Sequence, residues 1–326
     1  MTSTRKGVEE FLNGSPAAAL IEVMEAKGST PRERGAWMLV SPTASFGTIG
    51  GGQLEFMAIT RAREALGSAS PPGTIPYGST PTPSPSPQGG GEHRDPSALA
   101  SASDDVAEVE APSSPSPLWG GARGGGQKTT LTIPLGPEIG QCCGGRVELS
   151  IRHVDAALRD ELVAAAASED AAYPHVYLFG GGHVGHALAA ALSLLPLKVA
   201  VVETRADALE GMPEIVETRL TPVPEEAVRT APSGSAFVVL THDHALDFLI
   251  VAEALRRPDA AYVGMIGSKT KKATFKSWFL KTAGGTEEEF ARLVSPIGGE
   301  TVKDKRPAVI AALAAAEIMT ALAGRE

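Results

Sequence analysis

The chain is short of sulfur and of positive charge. Only two cysteines occur in 326 residues, Cys142 and Cys143, and they are neighbours. Adjacent cysteines rarely bond each other because the ring is strained, and no third is present to pair with either. A disulfide framework is excluded, which favours a reducing compartment such as the cytoplasm. Lysine and arginine total 29 against 38 acidic residues, a net charge of −9. That balance lacks the basic footprint of a nucleic-acid partner. No stretch reaches the roughly 18 uncharged apolar residues of a membrane span. "PAVIAALAAAEIMTALAG", near the C-terminus, comes closest, but Glu317 interrupts it and it reads as a packed helix. No apolar run follows the first basic residues, so no secretory leader is expected.

The rest is a globular composition, 43% hydrophobic and 21% charged, in a length that suits two domains. Residues 68–127 stand apart. They are rich in Pro, Gly and Ser, and "SPSPQGGGE" resembles "SPSPLWGGARGGGQ". Such a segment cannot bury enough apolar surface to offset the cost of ordering it, and it reads as a disordered insertion. His93 and Trp119 lie inside it and are given no role.

Around the insertion the pattern is that of a small α+β domain over residues 1–155. "AALIEVMEAKG", "GAWMLVS", "KTTLTIPLG" and "GRVELSIRHV" read as strands, and "EFMAITRAREALG" as a helix ending at a glycine. A linker helix is expected over 156–173. From 174 to 326 strands alternate with helices. "HVYLFGGG", "KVAVVETR", "SAFVVLTHD" and "AAYVGMIGS" are each followed by a loop or helical segment, which implies a parallel sheet with right-handed crossovers. The expected fold class is therefore α/β, with a C-terminal Rossmann-like parallel-sheet domain and a smaller N-terminal α+β domain.

Several loops carry chemistry. Gly180, Gly182 and Gly185 fit G-x-G-x-x-G between a strand and a helix, with Glu203 at the end of the next strand. Glycines let backbone approach a phosphate, the helix N-terminus offers amides, and the acid can accept from a ribose hydroxyl. The motif thus points to a nucleotide-like or pterin-phosphate ligand, with a tight strand-to-helix turn without ligand as the alternative. His183 and His186 lie in the first helical turn, where they meet a ligand or merely cap and pack. In "LTHDHALD", His242, Asp243 and His244 follow a strand. They suit a polar ligand, a divalent metal, or helix capping by Thr241 or Asp243. In "YVGMIGSKTK", Gly267, Ser268 and Lys269 suit an anion or a capped helix. Gly50, Gly51 and Gly52, followed by Gln53 and Glu55, suit a close backbone approach or a plain hairpin.

"GPEIGQCCGG" holds the two thiols. Exposed amides among glycines lower a thiol's pKa and favour thiolate, a soft ligand and a good nucleophile. No Cys-His-Asn signature accompanies them, which disfavours a protease.

Taken together, "EAKGSTPRERGAWMLV", "GTIGGGQLEFMAI", "GPEIGQCCGGRVEL", "YLFGGGHVGHALA", "VVETRAD", "LTHDHALD", "YVGMIGSKTK" and "PIG" followed by "KRPAVIAALAAAE" resemble the XdhC/CoxI family. They run in the family's order and cover nearly everything outside the insertion. The resemblance implies a cytoplasmic accessory protein rather than an enzyme. Such a protein binds molybdenum cofactor, a molybdopterin carrying molybdenum, as cargo. It holds the cargo while a cysteine desulfurase supplies sulfur, then delivers it to the large subunit of xanthine dehydrogenase or a related molybdenum hydroxylase. A homodimer is implied as well. Cys142 and Cys143 match the family's cysteine motif and become the candidates for contacting molybdenum, Cys143 being preferred because it directly precedes "GG". The same resemblance assigns cofactor contacts to Gly180, Gly182, Gly185, Glu203, His242, Asp243, His244, Ser268 and Lys269; Gln141, Gly50, Gly51, Gly52, His183 and Gly267 join them as candidates from the loops they occupy. Glu203 stands where the family more often has aspartate. Two alternatives remain: an NAD(P)-dependent oxidoreductase built on the glycine motif, and a metal-dependent hydrolase built on His242, His244 and an aspartate.

Overall fold

The computed structural model describes residues 4–67, 128–136, 144–299 and 301–324. The insertion at 68–127 and the segment holding Gln141, Cys142 and Cys143 lie outside the described residues. The chain divides into two compact units, Phe11–Glu161 and Leu162–Glu326, the latter joined by the N-terminal segment up to Glu10.

The first unit is built on an antiparallel sheet. Its strands are β1 (Ala19–Lys27), β2 (Trp37–Val40), β3 (Ser45–Gly47), β4 (Lys128–Pro134) and β5 (Arg146–His153), in the order β3-β2-β1-β5-β4. One face carries Ile21, Val23, Met38, Val40, Ile133, Val147, Leu149 and Ile151. Helix α2 (Gly52–Ala65) covers that face with Leu54, Ala58 and Ala62, one turn apart and fully buried. The i, i+4, i+8 spacing makes a single stripe, and the two alanines let the helix come close. Helices α1 (Thr4–Gly14) and α3 (Ala156–Ala172) precede and follow this sheet. Arg159 of α3 donates to the Leu12 carbonyl and to Asn13 Oδ1, at 3.1 and 2.6 Å.

The second unit is a six-stranded parallel sheet. Its strands are β6 (His175–Phe179), β7 (Lys198–Glu203), β8 (Glu217–Leu220), β9 (Ala236–Val239), β10 (Tyr262–Met265) and β11 (Leu293–Val294), ordered β11-β10-β9-β6-β7-β8. The chain starts in the middle, winds outward through β7 and β8, then returns to lay β9 on the other side of β6. This is the 3-2-1-4-5-6 order of a Rossmann unit, with its topological switch point between β6 and β9. Helices α4 (His183–Leu192) and α9 (Pro307–Ala323) pack with Val176, Leu178, Val199, Val201 and Val238 on one face. The other face holds Tyr177, Phe179, Phe237 and Val239. It packs with α5 (Glu225–Thr230), α6 (His244–Leu255) and α7 (Lys269–Lys281), and α8 (Glu287–Ala291) adds Phe290. Alternate residues of each strand thus go to opposite cores, which is why these strands read as unbroken apolar runs.

The fold class matches the expectation, with additions. The additions are helices α1, α5 and α8 and strands β3, β8 and β11; α8 opens on a Thr286–Glu289 capping box. β8 is the edge sequence "ETRL", mostly exposed, and β11 is two residues long. No helix among the described residues is long and apolar enough to cross a membrane. Glu317, which breaks the apolar run of α9, accepts from the Tyr262 hydroxyl at 3.0 Å and the Gly298 N–H at 2.7 Å. Burial and that neighbouring carboxylate both push the Tyr262 hydroxyl well above the usual tyrosine range.

Candidate functional site

At the switch point, β6 runs into Gly180, Gly181 and Gly182 before α4 begins at His183. Gly180 has φ +118°, and a Cβ there would stand 2.7 Å from the Leu240 carbonyl oxygen. Only glycine suits that geometry. A Cβ on Gly185 would come within 2.1 Å of the Gly180 carbonyl oxygen, so Gly185 serves the close packing of helix on strand. Gly182 differs: a Cβ there meets nothing within 4 Å. His183 is exposed beside it, while His186 turns its Nε2 to the Ala208 carbonyl at 3.1 Å.

Glu203 ends β7 and is buried. Its Oε2 accepts from Gly181 N–H at 2.8 Å, and its Oε1 from the Thr204 and Arg205 amides at 2.7 and 3.1 Å. Burial acts to raise the pKa, but these amide donors outweigh it and hold the carboxyl below the usual glutamate range.

The next loop follows β9. Asp243 caps α6, accepting from the Ala245 amide at 2.8 Å. Thr241 offers its hydroxyl to Asp247 Oδ1 at 2.7 Å, and its amide donates to the same oxygen at 3.1 Å. Asp247 in turn is ion-paired to Lys271 of α7. Lys271 Nζ also donates to the Ile266 carbonyl at 2.9 Å. Ser268 caps α7 through the Lys271 amide, and the Lys271 stem passes over Gly267, 2.6 Å from where a Cβ would stand. His242, His244 and Lys269 are exposed along the same edge. The pattern of the sequence pointed to Lys269; the inward lysine is Lys271. It lies three residues past the cap, and nothing local distinguishes it from its neighbours.

The antiparallel unit has its own cluster. A Cβ on Gly145 would stand 2.4 Å from the Ser29 carbonyl and 2.6 Å from that of Lys27; one on Gly50 would stand 2.6 Å from the Pro31 ring. The turn after β1, the Gly50–Gly52 run and the glycines that follow the cysteines therefore converge on residues 27–31. Glu55 closes the run, accepting from the Thr48 hydroxyl and from the Ile49 and Gly51 amides at 3.0 Å each. Gln53 follows within the first turn of α2. The Leu135 N–H to Gly145 carbonyl bond, 2.7 Å, closes the described ends of the cysteine loop. A cavity of about 510 Å³ lies elsewhere in this unit, lined by Arg61, Glu64, Leu66 and His153 among others; none of the sequence motifs contributes to it.

Among the described residues, no group of three or more His, Cys, Asp and Glu side chains is placed to hold a metal ion. The carboxylates of "THDHALD" are occupied as a cap and an ion pair, which leaves His242 and His244 without an acid partner from their own loop.

The XdhC Rossmann domain family matches residues 176–318, and the XdhC and CoxI family matches residues 13–78. Among curated proteins, none matches the chain. A crystal structure of a xanthine dehydrogenase from Bacillus halodurans shares the fold, with a TM-score of 0.70 at 14% identity, covering 100% of this chain and 97% of that one. With one region matched in each compact unit, the chain belongs to the XdhC and CoxI family.

Proposed function

We propose that this chain is a xanthine dehydrogenase accessory protein, a carrier rather than a catalyst. It binds molybdenum cofactor in the cytoplasm, holds it for sulfuration by a cysteine desulfurase and passes it to the enzyme's large subunit. The observation that carries the reading is the pairing of both family regions in one chain, each containing a glycine turn with room for a ligand. The cargo's phosphate group suits the amides around Gly182 and His183, where backbone donors meet the positive end of α4. Cys142 and Cys143 supply thiolate toward molybdenum, a soft ligand for a sulfur-accepting centre. Gln141, Gly50, Gly51 and Gly52 belong to that thiol site, and His242, Asp243, His244, Gly267, Ser268 and Lys269 line the parallel-sheet edge. Release to the client requires tighter binding of the cargo by the client than by the carrier. A homodimer accompanies this reading.

The two alternatives have less support. An oxidoreductase needs an acid free to read a ribose, and Glu203 is engaged by the chain's own amides. A hydrolase built on His242 and His244 needs a carboxylate that Asp243 and Asp247 give to other partners.

The test is retention of cargo. Full-length protein is purified from cells that make the cofactor, and bound molybdopterin is read by its fluorescence after oxidation. The expected result is near-stoichiometric cargo in the wild type and at least a roughly tenfold loss, about 1.4 kcal/mol of affinity, in Cys142→Ser/Cys143→Ser. Full loading of the double variant overturns the thiol role, and an empty wild type overturns the carrier reading.

A further inference from the structure

In a dinucleotide-binding Rossmann unit, the acid ending the second strand accepts from a ribose hydroxyl, and the sugar lies between that acid and the glycine turn. In this chain that space is filled from both sides. Glu203 is 5% exposed. Oε2 takes the Gly181 N–H at 2.8 Å. Oε1 takes the Thr204 N–H at 2.7 Å and the Thr204 hydroxyl and Arg205 N–H at 3.1 Å each. Oε1 is thus saturated by three donors, and Oε2, which keeps the Gly181 N–H, faces the Arg205 guanidinium at 3.6 Å, so the buried carboxyl turns no open edge to a diol. The 3-10 turn Asp207–Leu209 then closes over the glycines. A Cβ on Gly181 would stand 2.2 Å from the Ala208 carbonyl oxygen. His186 Nε2 holds that same oxygen at 3.1 Å.

We infer that this Rossmann unit is closed to the adenosine end of a dinucleotide. Glu203 and the Ala208 turn, pinned by His186, set that specificity. The position left open at the glycine turn is Gly182, and the phosphate-bearing cargo proposed above binds there without a ribose–acid contact. This narrows the ligand class of the site proposed above and rests on that reading only for the nature of the cargo.

The test uses the full-length wild-type chain. NADH and ADP-ribose are titrated separately, by fluorescence and by calorimetry, while molybdopterin retention is measured on the same preparation. No saturation by either probe up to about 1 mM is expected; saturable binding below that concentration overturns the closure. Exchange of the Gly181 amide gives a second readout. Slow exchange in unliganded protein is expected, and exchange as fast as that of an open loop overturns the closure as well. Cargo retained alongside NADH binding defeats the closure alone. Absent cargo with no NADH binding leaves the closure standing and defeats the carrier reading.

Discussion

Asp247 and Lys271 form an ion pair almost out of reach of water, their side chains 0% and 9% exposed. They come from the first turns of different helices, α6 and α7, and between them they tie Thr241, just past β9, to Ile266, just past β10. Two strands that meet the candidate ligand edge are thus held in register by one buried charge pair. Removing one partner leaves the other charged and buried, which costs about 3–5 kcal/mol. Asp247→Ala is expected to lower Tm by about 6–20 °C. The double change Asp247→Leu/Lys271→Met, which removes both charges, is expected to cost clearly less than the sum of the single changes. A thermal double-mutant cycle measures this, and strict additivity would show that the pair is not coupled.

Glu203 carries a pH prediction. Its folded-state pKa is lowered, so its stabilising contribution is complete above the ordinary glutamate value of 4.5. That contribution disappears as pH falls below that value, toward and through the lowered folded-state pKa. Glu203→Gln is expected to cost about 1–3 kcal/mol at neutral pH, because its amide NH₂ faces backbone donors. It should also flatten the fall of Tm on acidification. Parallel melting curves across the acid range decide it: an unchanged acid slope would mean the carboxylate is not held by those amides.

These relationships differ in how far the sequence announced them. The parallel strands were legible because both faces are buried, so "VYLF", "VAVV" and "AFVV" are unbroken apolar runs. β8 and β11 were not, since an exposed edge and a two-residue strand leave no periodicity to read. α1 left a fainter trace in Val8, Phe11 and Leu12. The glycine turn was legible because its requirement is local, a backbone that must approach something. The Asp247–Lys271 pair was not, because its partners lie 24 residues apart, and Lys269 and Lys272 offer the same chemistry on either side. Glu203 was recognised as an acid in the right place, but sequence alone does not show that it is buried and engaged by the chain's own amides.

Glu55 makes an analogous prediction in the antiparallel unit. Burial works to raise its pKa, but the Thr48 hydroxyl and the amides of Ile49, Gly50 and Gly51 win, and the value is lowered. One carboxylate thus braces the whole run that enters α2. Glu55→Gln is expected to cost about 1 kcal/mol and to speed hydrogen exchange at Ile49 and Gly51. Unchanged exchange at those two amides would mean the turn is held by its glycines and by Pro31 alone.

The glycines of the switch-point turn separate fold from function. A Cβ at Gly181 or Gly185 would collide with a backbone carbonyl, at 2.2 and 2.1 Å respectively, whereas at Gly182 it meets nothing within 4 Å. Gly182 also has φ −75°, open to any residue. Gly181→Ala and Gly185→Ala are therefore expected to destabilise by about 1–3 kcal/mol or more, as overpacked sites do. Gly182→Ala, at the N-cap of α4 where alanine is a poorer cap than glycine, is expected to lower Tm only by about 1–4 °C. If the turn holds the cargo's phosphate, the methyl group at 182 occupies the ligand's space, and molybdopterin retention should fall at least about tenfold, or 1.4 kcal/mol, at temperatures where the variant is fully folded. A folded Gly182→Ala protein with full cargo would place the ligand elsewhere, because the methyl group's other consequence, a poorer cap on α4, leaves the turn's free space filled all the same.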